Sequence, residues 1–185
     1  MAWAAEAIPS GAVHLSISAS SEFKEWPVGS WAELAKRLLA GGIPVLVATG
    51  SAAARERERL GELTRRVGDG RLRVVAESLS IARLAAVVSR CVLHVGTDSG
   101  VTHIALALGR PTVSIFREYA GLEEWRPRGA EHRAFTAPCR CVDQPRMAPE
   151  CLAAGTACCL AGIGVEAVAE AVRERWAASA SGRGK

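Results

Sequence analysis

With 185 residues and a net charge of +4, the chain is large enough for one domain with a real core. A hydrophobic share of 49% and a mean hydropathy of +0.14 fit a globular protein with a buried sheet, and no apolar run reaches the length of a membrane span. The positive charge comes from 20 Arg and 3 Lys; a nucleic-acid surface would need a one-signed basic stripe with exposed aromatics, and neither is present.

Taken in order, residues 1–11 read as a linker or frayed end without the basic-then-apolar order of a signal peptide. Ala12 to Ile17 reads as a first strand and Ser18 to Pro27 as a polar loop. Ser30-Trp-Ala-Glu33 has the form of a capping box opening an amphipathic helix through Leu39, with Gly41-Gly42 ending it. Ile43 to Ala48 is a continuous apolar strand, suited to a sheet covered on both faces. Thr49-Gly50-Ser51 then turns into a charged helix that ends near Val67-Gly68. In that helix Arg55-Glu-Arg-Glu-Arg59 interleaves opposite charges, as on a solvated face. Leu72 to Val75 is a third strand, and Ser80 caps a helix with Ile81, Leu84, Ala85 and Val88 on one face. A strand follows at Val92, Leu93 and Val95, then the turn Gly96-Thr97-Asp98-Ser99-Gly100. Val101, Ile104, Ala105 and Leu108 recur at helical spacing, Gly109 and Pro111 stop that helix, and Thr112 to Ile115 begins another strand. The alternation predicts an α/β fold, a Rossmann-like three-layer sandwich with a mostly parallel sheet. This domain is expected over 12–136, followed by a Cys-rich loop at 137–160, a helix at 161–176 and a low-complexity tail at 177–185.

The turn at Thr97, Asp98, Ser99 and Thr102 lies at the carboxyl end of a strand, where open α/β sheets bind ligands. The first N–H groups of the following helix point into the loop and can hold an anion. A plainer reading makes Asp98-Ser99 an ordinary N-cap and Gly100 an ordinary turn. Glycines flank the pair, and His103 stands in the first helical turn, where the dipole disfavours its protonated form; both features favour an anionic ligand. The Ser18–Pro27 loop leaves the first strand at the same sheet edge, with Ser18, Ser20, Ser21 and Lys24 all suited to phosphate.

Asp98-Ser99-Gly100-Val101-Thr102-His103-Ile104-Ala105 resembles the D-[ST]-G-x-x-H-x-A signature of the heptosyltransferases, glycosyltransferase family 9. Ser20-Ser21-Glu-Phe-Lys24-Glu-Trp-Pro27 resembles that family's [ST]-x-x-x-K-x-W-P segment, in the right order and place. The resemblance implies one half of a GT-B fold, the C-terminal half that binds the nucleotide-sugar donor. It implies donor contacts from Ser20, Ser21, Lys24, Thr97, Asp98, Ser99, Gly100 and His103, with Lys24 and His103 stabilising the diphosphate leaving group. It also implies an acidic residue on the donor ribose after the second strand; Glu56 fits, with Glu58 as the other choice. Arg117 stands where the family often has Gly, which bears on the donor that fits. The tripeptide Asp98-Ser99-Gly100 also matches an aspartic-protease loop, but an apolar helix follows here instead of the flanking strands such a site needs.

The expected function is therefore the donor-binding half of a family 9 enzyme. It would take an ADP-heptose-like sugar for transfer to lipopolysaccharide core, a protein or another acceptor. It would act in the cytoplasm or at the inner face of the membrane, with peripheral membrane association, and use no organic cofactor. The partner it needs is an N-terminal acceptor-binding half, which also supplies the base. The competing reading is a non-catalytic nucleotide- or metal-binding module used for assembly.

Cys139, Cys141, Cys151, Cys158 and Cys159 fall in a Pro- and Gly-punctuated stretch. Three readings stand open: a bound metal, free thiols or a disulfide. A closed zinc or iron site would use Cys139, Cys141, Cys151 and Cys158, with Cys159 as alternate. Some members of the resembling family carry a similar cluster, and one branch binds iron through cysteines. Cys91 stands apart and reads as a small core hydrophobe.

Overall fold

The computed structural model describes residues 8–119, 121–139 and 148–181. Six strands form one sheet: β1 (Val13–Ser16), β2 (Leu46–Thr49), β3 (Leu72–Val75), β4 (Leu93–Thr97), β5 (Thr112–Ile115) and β6 (His132–Phe135). Their order is β3-β2-β1-β4-β5-β6, and every neighbouring pair is parallel. The order reverses between β1 and β4, so the loops leaving these two strands diverge at their carboxyl ends and open a crevice there. The connecting helices are α1 (Val28–Ala40), α2 (Ala54–Val67), α3 (Ile81–Arg90), α4 (Gly100–Ala107) and the short α5 (Leu122–Trp125). After β6 come α6 (Pro149–Ala154), α7 (Cys158–Ala161) and α8 (Val165–Ser181). No helix of the described residues is long and apolar enough to cross a membrane.

Alternate residues of each central strand face opposite layers. Val13, Leu15, Leu46, Ala48, Leu93, Val95, Val113 and Ile115 share the main core with Leu34 and Leu38 of α1 and Val168 and Val172 of α8. Within it, Trp26 and Trp31 meet edge to face at 5.3 Å. This pair replaces the expected capping box. Helix α1 begins at Val28 behind Pro27, whose φ of −53° suits a helix start, and Ser30 lies inside the helix. Trp26 just before the cap and Trp31 one turn in form a hydrophobic staple, and its burial outweighs the contribution of a serine cap.

The other face is polar along one row. The register aligns Val47, His14, His94, Thr112 and His132 across five strands. Beside this row, Ile8, Ala12, Val45, Val47, Val87 and Cys91 form a second apolar cluster. Cys91 is thus a small core residue, and burial pushes its thiol up to about 12. Ser80 caps α3 as expected, accepting from the Arg83 N–H, but Ile81 is 76% exposed. Helix α8 extends past Trp176 to Ser181, into the stretch read as a tail.

Candidate functional site

The two loops at the strand-order reversal meet through charge. After β1 the chain makes a 3-10 turn, Glu22–Lys24, capped by Ser21 Oγ accepting from the Phe23 N–H. That turn delivers Lys24 Nζ to Asp98 Oδ2 at 2.8 Å. Lys24 also stands 5.8 Å from the centre of the Tyr119 ring. Partial burial raises the Tyr119 hydroxyl, and the adjacent Asp98 carboxylate, to which it hydrogen-bonds, raises it further.

Ser99 is the N-cap of α4, yet its side chain makes no capping bond. Ser99 Oγ and Ser18 Oγ are both buried without a hydrogen-bond partner. A buried hydroxyl left unsatisfied costs about 1–3 kcal/mol, so two beside one helix N-terminus mark a place prepared for a polar ligand. A side chain at Gly100 would meet nothing within 4 Å, which leaves the start of the helix open to an incoming group. Ser20 and Ser99 line two neighbouring cavities and form the wall between them.

The first cavity, about 450 Å³, lies over β1 and β2 and includes Ser16, Ser18, Thr49, Ser51, Glu56, Ser78 and Leu84. Glu56 accepts from the Ser51 N–H at 2.7 Å. A Cβ at Gly50 would come within 2.7 Å of Leu60 and 3.2 Å of Glu56 Oε2, so glycine lets the turn close over this carboxylate. Glu58 is exposed and lines neither cavity. The second cavity, about 540 Å³, is lined by Lys24, Asp98, Gly100, His103, Arg117, Tyr119 and Trp125 besides the shared serines.

Several residues singled out in the sequence support the site from beneath it. Thr97 Oγ1 donates to Ser18 O, tying the two loops together. Thr102 Oγ1 donates to Thr97 O at 2.9 Å, so it can only accept from His94 Nε2, 3.2 Å away. That fixes His94 Nδ1 as an acceptor, and His14 Nδ1, 2.8 Å from it, as the donor. His14 Nε2 then accepts from Thr49 Oγ1 at 2.9 Å. Both imidazoles are neutral in this chain of bonds. Burial lowers His14 to about 3 and, with His14 alongside, holds His94 well below its usual range. Gly96 makes room for the chain, since a Cβ there would lie 2.4 Å from His94 Nε2.

Sequence reasoning missed the clamp that holds the Lys24 loop. Glu25 is 2% exposed and ion-paired with Arg55 and Arg59 of α2. It also accepts from the Ala19 N–H, while Arg55 donates to Ala19 O and Arg59 to Ile17 O and Trp26 O. The run Arg55 to Arg59 is therefore only in part a solvated face: Arg57 and Glu58 are exposed. Two of its guanidiniums turn inward because the loop after β1 crosses α2 and presents a buried carboxylate and three carbonyls.

Cys139, Cys151, Cys158 and Cys159 line one further cavity of about 320 Å³ with Glu150. Cys158 is exposed, with its N–H donating to Cys151 Sγ at 3.3 Å. Cys159 hydrogen-bonds to Cys139, and its thiol is pushed up to about 12, first by burial and then by that bond. Cys141 lies outside the described residues. Among the described residues no group of three or more His, Cys, Asp or Glu side chains is arranged to hold a metal ion. The cluster packs against Phe23, next to Lys24, and the Cys139 N–H donates to Glu118, next to Arg117.

A parallel sheet in this order, with two cavities over its reversal point, is a Rossmann-like unit of the kind paired in GT-B glycosyltransferases. The chain belongs to glycosyltransferase family 9 (heptosyltransferase), whose family model matches residues 3–150. It is 40% identical over 93 residues to lipopolysaccharide heptosyltransferase 1 of Pseudomonas aeruginosa, a match covering 50% of this chain and 25% of that protein. The fold is similar to that of E. coli ADP-heptose lipopolysaccharide heptosyltransferase II, with a TM-score of 0.72, 22% identity, and coverage of 95% of this chain and 50% of that one. It is similar also to the E. coli heptosyltransferase WaaC solved with ADP, with a TM-score of 0.70, 20% identity, and coverage of 92% and 47%. The chain thus spans half or less of the length of the relatives it matches.

Proposed function

We propose that this chain is the donor-binding half of a heptosyltransferase-type enzyme and takes an ADP-heptose-like nucleotide sugar. The observation that carries the reading is the Lys24–Asp98 pair set beside the unpartnered hydroxyls of Ser18 and Ser99 at the start of α4. These groups sit on the wall shared by two cavities, where a diphosphate would join a nucleoside in the first to a sugar in the second. Glu56 is positioned to accept from ribose hydroxyls. The heptosyltransferase solved with ADP supports adenine as the base.

In transfer with inversion, an acceptor hydroxyl attacks the anomeric carbon as the bond to the diphosphate oxygen breaks, and a base removes the hydroxyl proton. Lys24 and the N–H groups of α4 stabilise the charge that develops on the departing diphosphate. His103 lies one turn into the same helix and lines the sugar cavity. Asp98 is committed to Lys24 and serves to position it. The acceptor and the base belong to an N-terminal half carried on further sequence or on a separate chain. The acceptor is lipopolysaccharide core, a protein or another hydroxyl compound. Action in the cytoplasm, at the inner face of the membrane, belongs to the same reading.

Calorimetric titration with ADP tests the reading. Lys24→Ala should weaken ADP binding by about 10- to 100-fold, the range for one charge-assisted hydrogen bond. An unchanged affinity would contradict it.

A structural zinc or iron at the cysteine cluster belongs to the same proposal. Cys139, Cys141, Cys151 and Cys158 would supply the thiols, with Cys159 as alternate; all but Cys141, which lies outside the described residues, line the cysteine cavity. Four thiols lining one cavity support it, although the described side chains are not drawn together as ligands.

A further inference from the structure

Resting on the donor-site reading, we infer that Trp125 is a sugar-stacking residue that discriminates a nucleotide sugar from the bare nucleotide. Three large hydrophobic side chains are exposed among the described residues: Ile81, Trp125 and Leu152. Of these, Trp125 alone lines a cavity shared with charged groups. It is 53% exposed, so one side of the indole is free for a ligand.

The ring is held firmly for so exposed a side chain. Helix α5 is a single turn that starts behind Gly121, whose φ of 85° is readily open only to glycine. Leu122 anchors the turn by burial, the Arg126 N–H returns to Leu122 O, and the Arg126 guanidinium pairs with Glu123. The His103 imidazole meets the indole edge to face at 5.6 Å and 68°. An aromatic fixed in this way loses little entropy when it receives a ligand.

The position decides what that ligand is. The wall shared with the first cavity takes the diphosphate, so the second cavity receives whatever the outer phosphate carries. Around that space stand a carboxylate (Asp98), cationic donors (Lys24 and Arg117), His103, the Tyr119 phenol and the half-exposed indole. This is the chemistry that recognises a pyranose. The apolar C–H face of the ring lies on an aromatic plane, and polar groups on the opposite wall bind the hydroxyls. A bare nucleotide would leave Trp125 untouched.

The test titrates the unsubstituted chain, Trp125→Ala and Trp125→Phe with ADP and with ADP-heptose, using ADP-glucose as a second sugar-bearing probe. Trp125→Ala should lower affinity for ADP-heptose by about 10-fold, near the upper end for one aromatic contact, and leave ADP within about twofold. Trp125→Phe should restore most of the loss, which a merely structural role would not predict. Retained ADP binding shows that each variant is folded. An equal loss for ADP and ADP-heptose, or no loss for either, overturns the inference while the donor site stands. No ADP binding by the unsubstituted chain overturns the donor reading and this inference with it.

Discussion

Glu25 is the most buried carboxylate among the described residues, and it lies one position from Lys24. Its two guanidinium partners and the Ala19 N–H hold the loop in the shape that delivers Lys24. Glu25→Gln should cost about 2–3 kcal/mol, less than the full penalty for breaking a buried pair because both arginines keep some contact with water. Denaturant unfolding checks this, and a midpoint within error of the parent would show that the clamp adds nothing. The contribution of Glu25 was not legible in the sequence. Its partners lie thirty and more positions downstream, and the Arg55–Arg59 run has the charge alternation of a surface helix. Lys24 and Asp98 were legible because each stands in a motif of fixed local spacing, and the sheet order brings the motifs together. Which side chains after β5 line the cavity, Arg117, Tyr119 and Trp125 among them, required the structure.

At the scale of elements, the buried His14–His94 pair should make the fold acid-labile. The unfolded imidazoles titrate near 6.5, whereas His14 is held down to about 3 and His94 lies well below its usual range. Above pH 6.5 neither state takes up these protons, and the stability is fully present. As the pH falls below 6.5 the unfolded chain binds protons that the folded chain refuses, so stability declines by about 1.4 kcal/mol per pH unit for each imidazole. Between pH 7.5 and 5.5 the pair should therefore account for a loss of about 3 kcal/mol, read as a lower midpoint in urea. Equal stability at the two pH values would mean that the pair is not held neutral. The cysteine segment makes a separate prediction. Protein purified without added metal should contain about one zinc or iron per chain. Five or six freely reactive thiols without metal would refute that. Strands β3 and β5 were legible to the residue, being short stretches rich in β-branched residues between turn residues. Strand β6 was not: His132-Arg-Ala-Phe135 is an edge strand with little apolar content, and pairing with β5 makes it a strand. Helices α6 and α7 were hidden because, at six and four residues, they are too short to show a helical period.

For the whole molecule, the parallel α/β architecture followed from the alternation of strand and helix signals. The strand order, and so the crevice between the loops of β1 and β4, required the structure. On the proposed reading, that crevice would set a diphosphate wall between a nucleoside cavity and a sugar cavity, and an acceptor half would supply the base and the hydroxyl. The central claim is that the wall binds a diphosphate, and calorimetric titration of the unsubstituted chain with ADP and with adenosine tests it most directly. ADP should bind at least about 10-fold more tightly than adenosine, because the helix start and Lys24 act only on the phosphates. Equal affinity for the two would contradict the account.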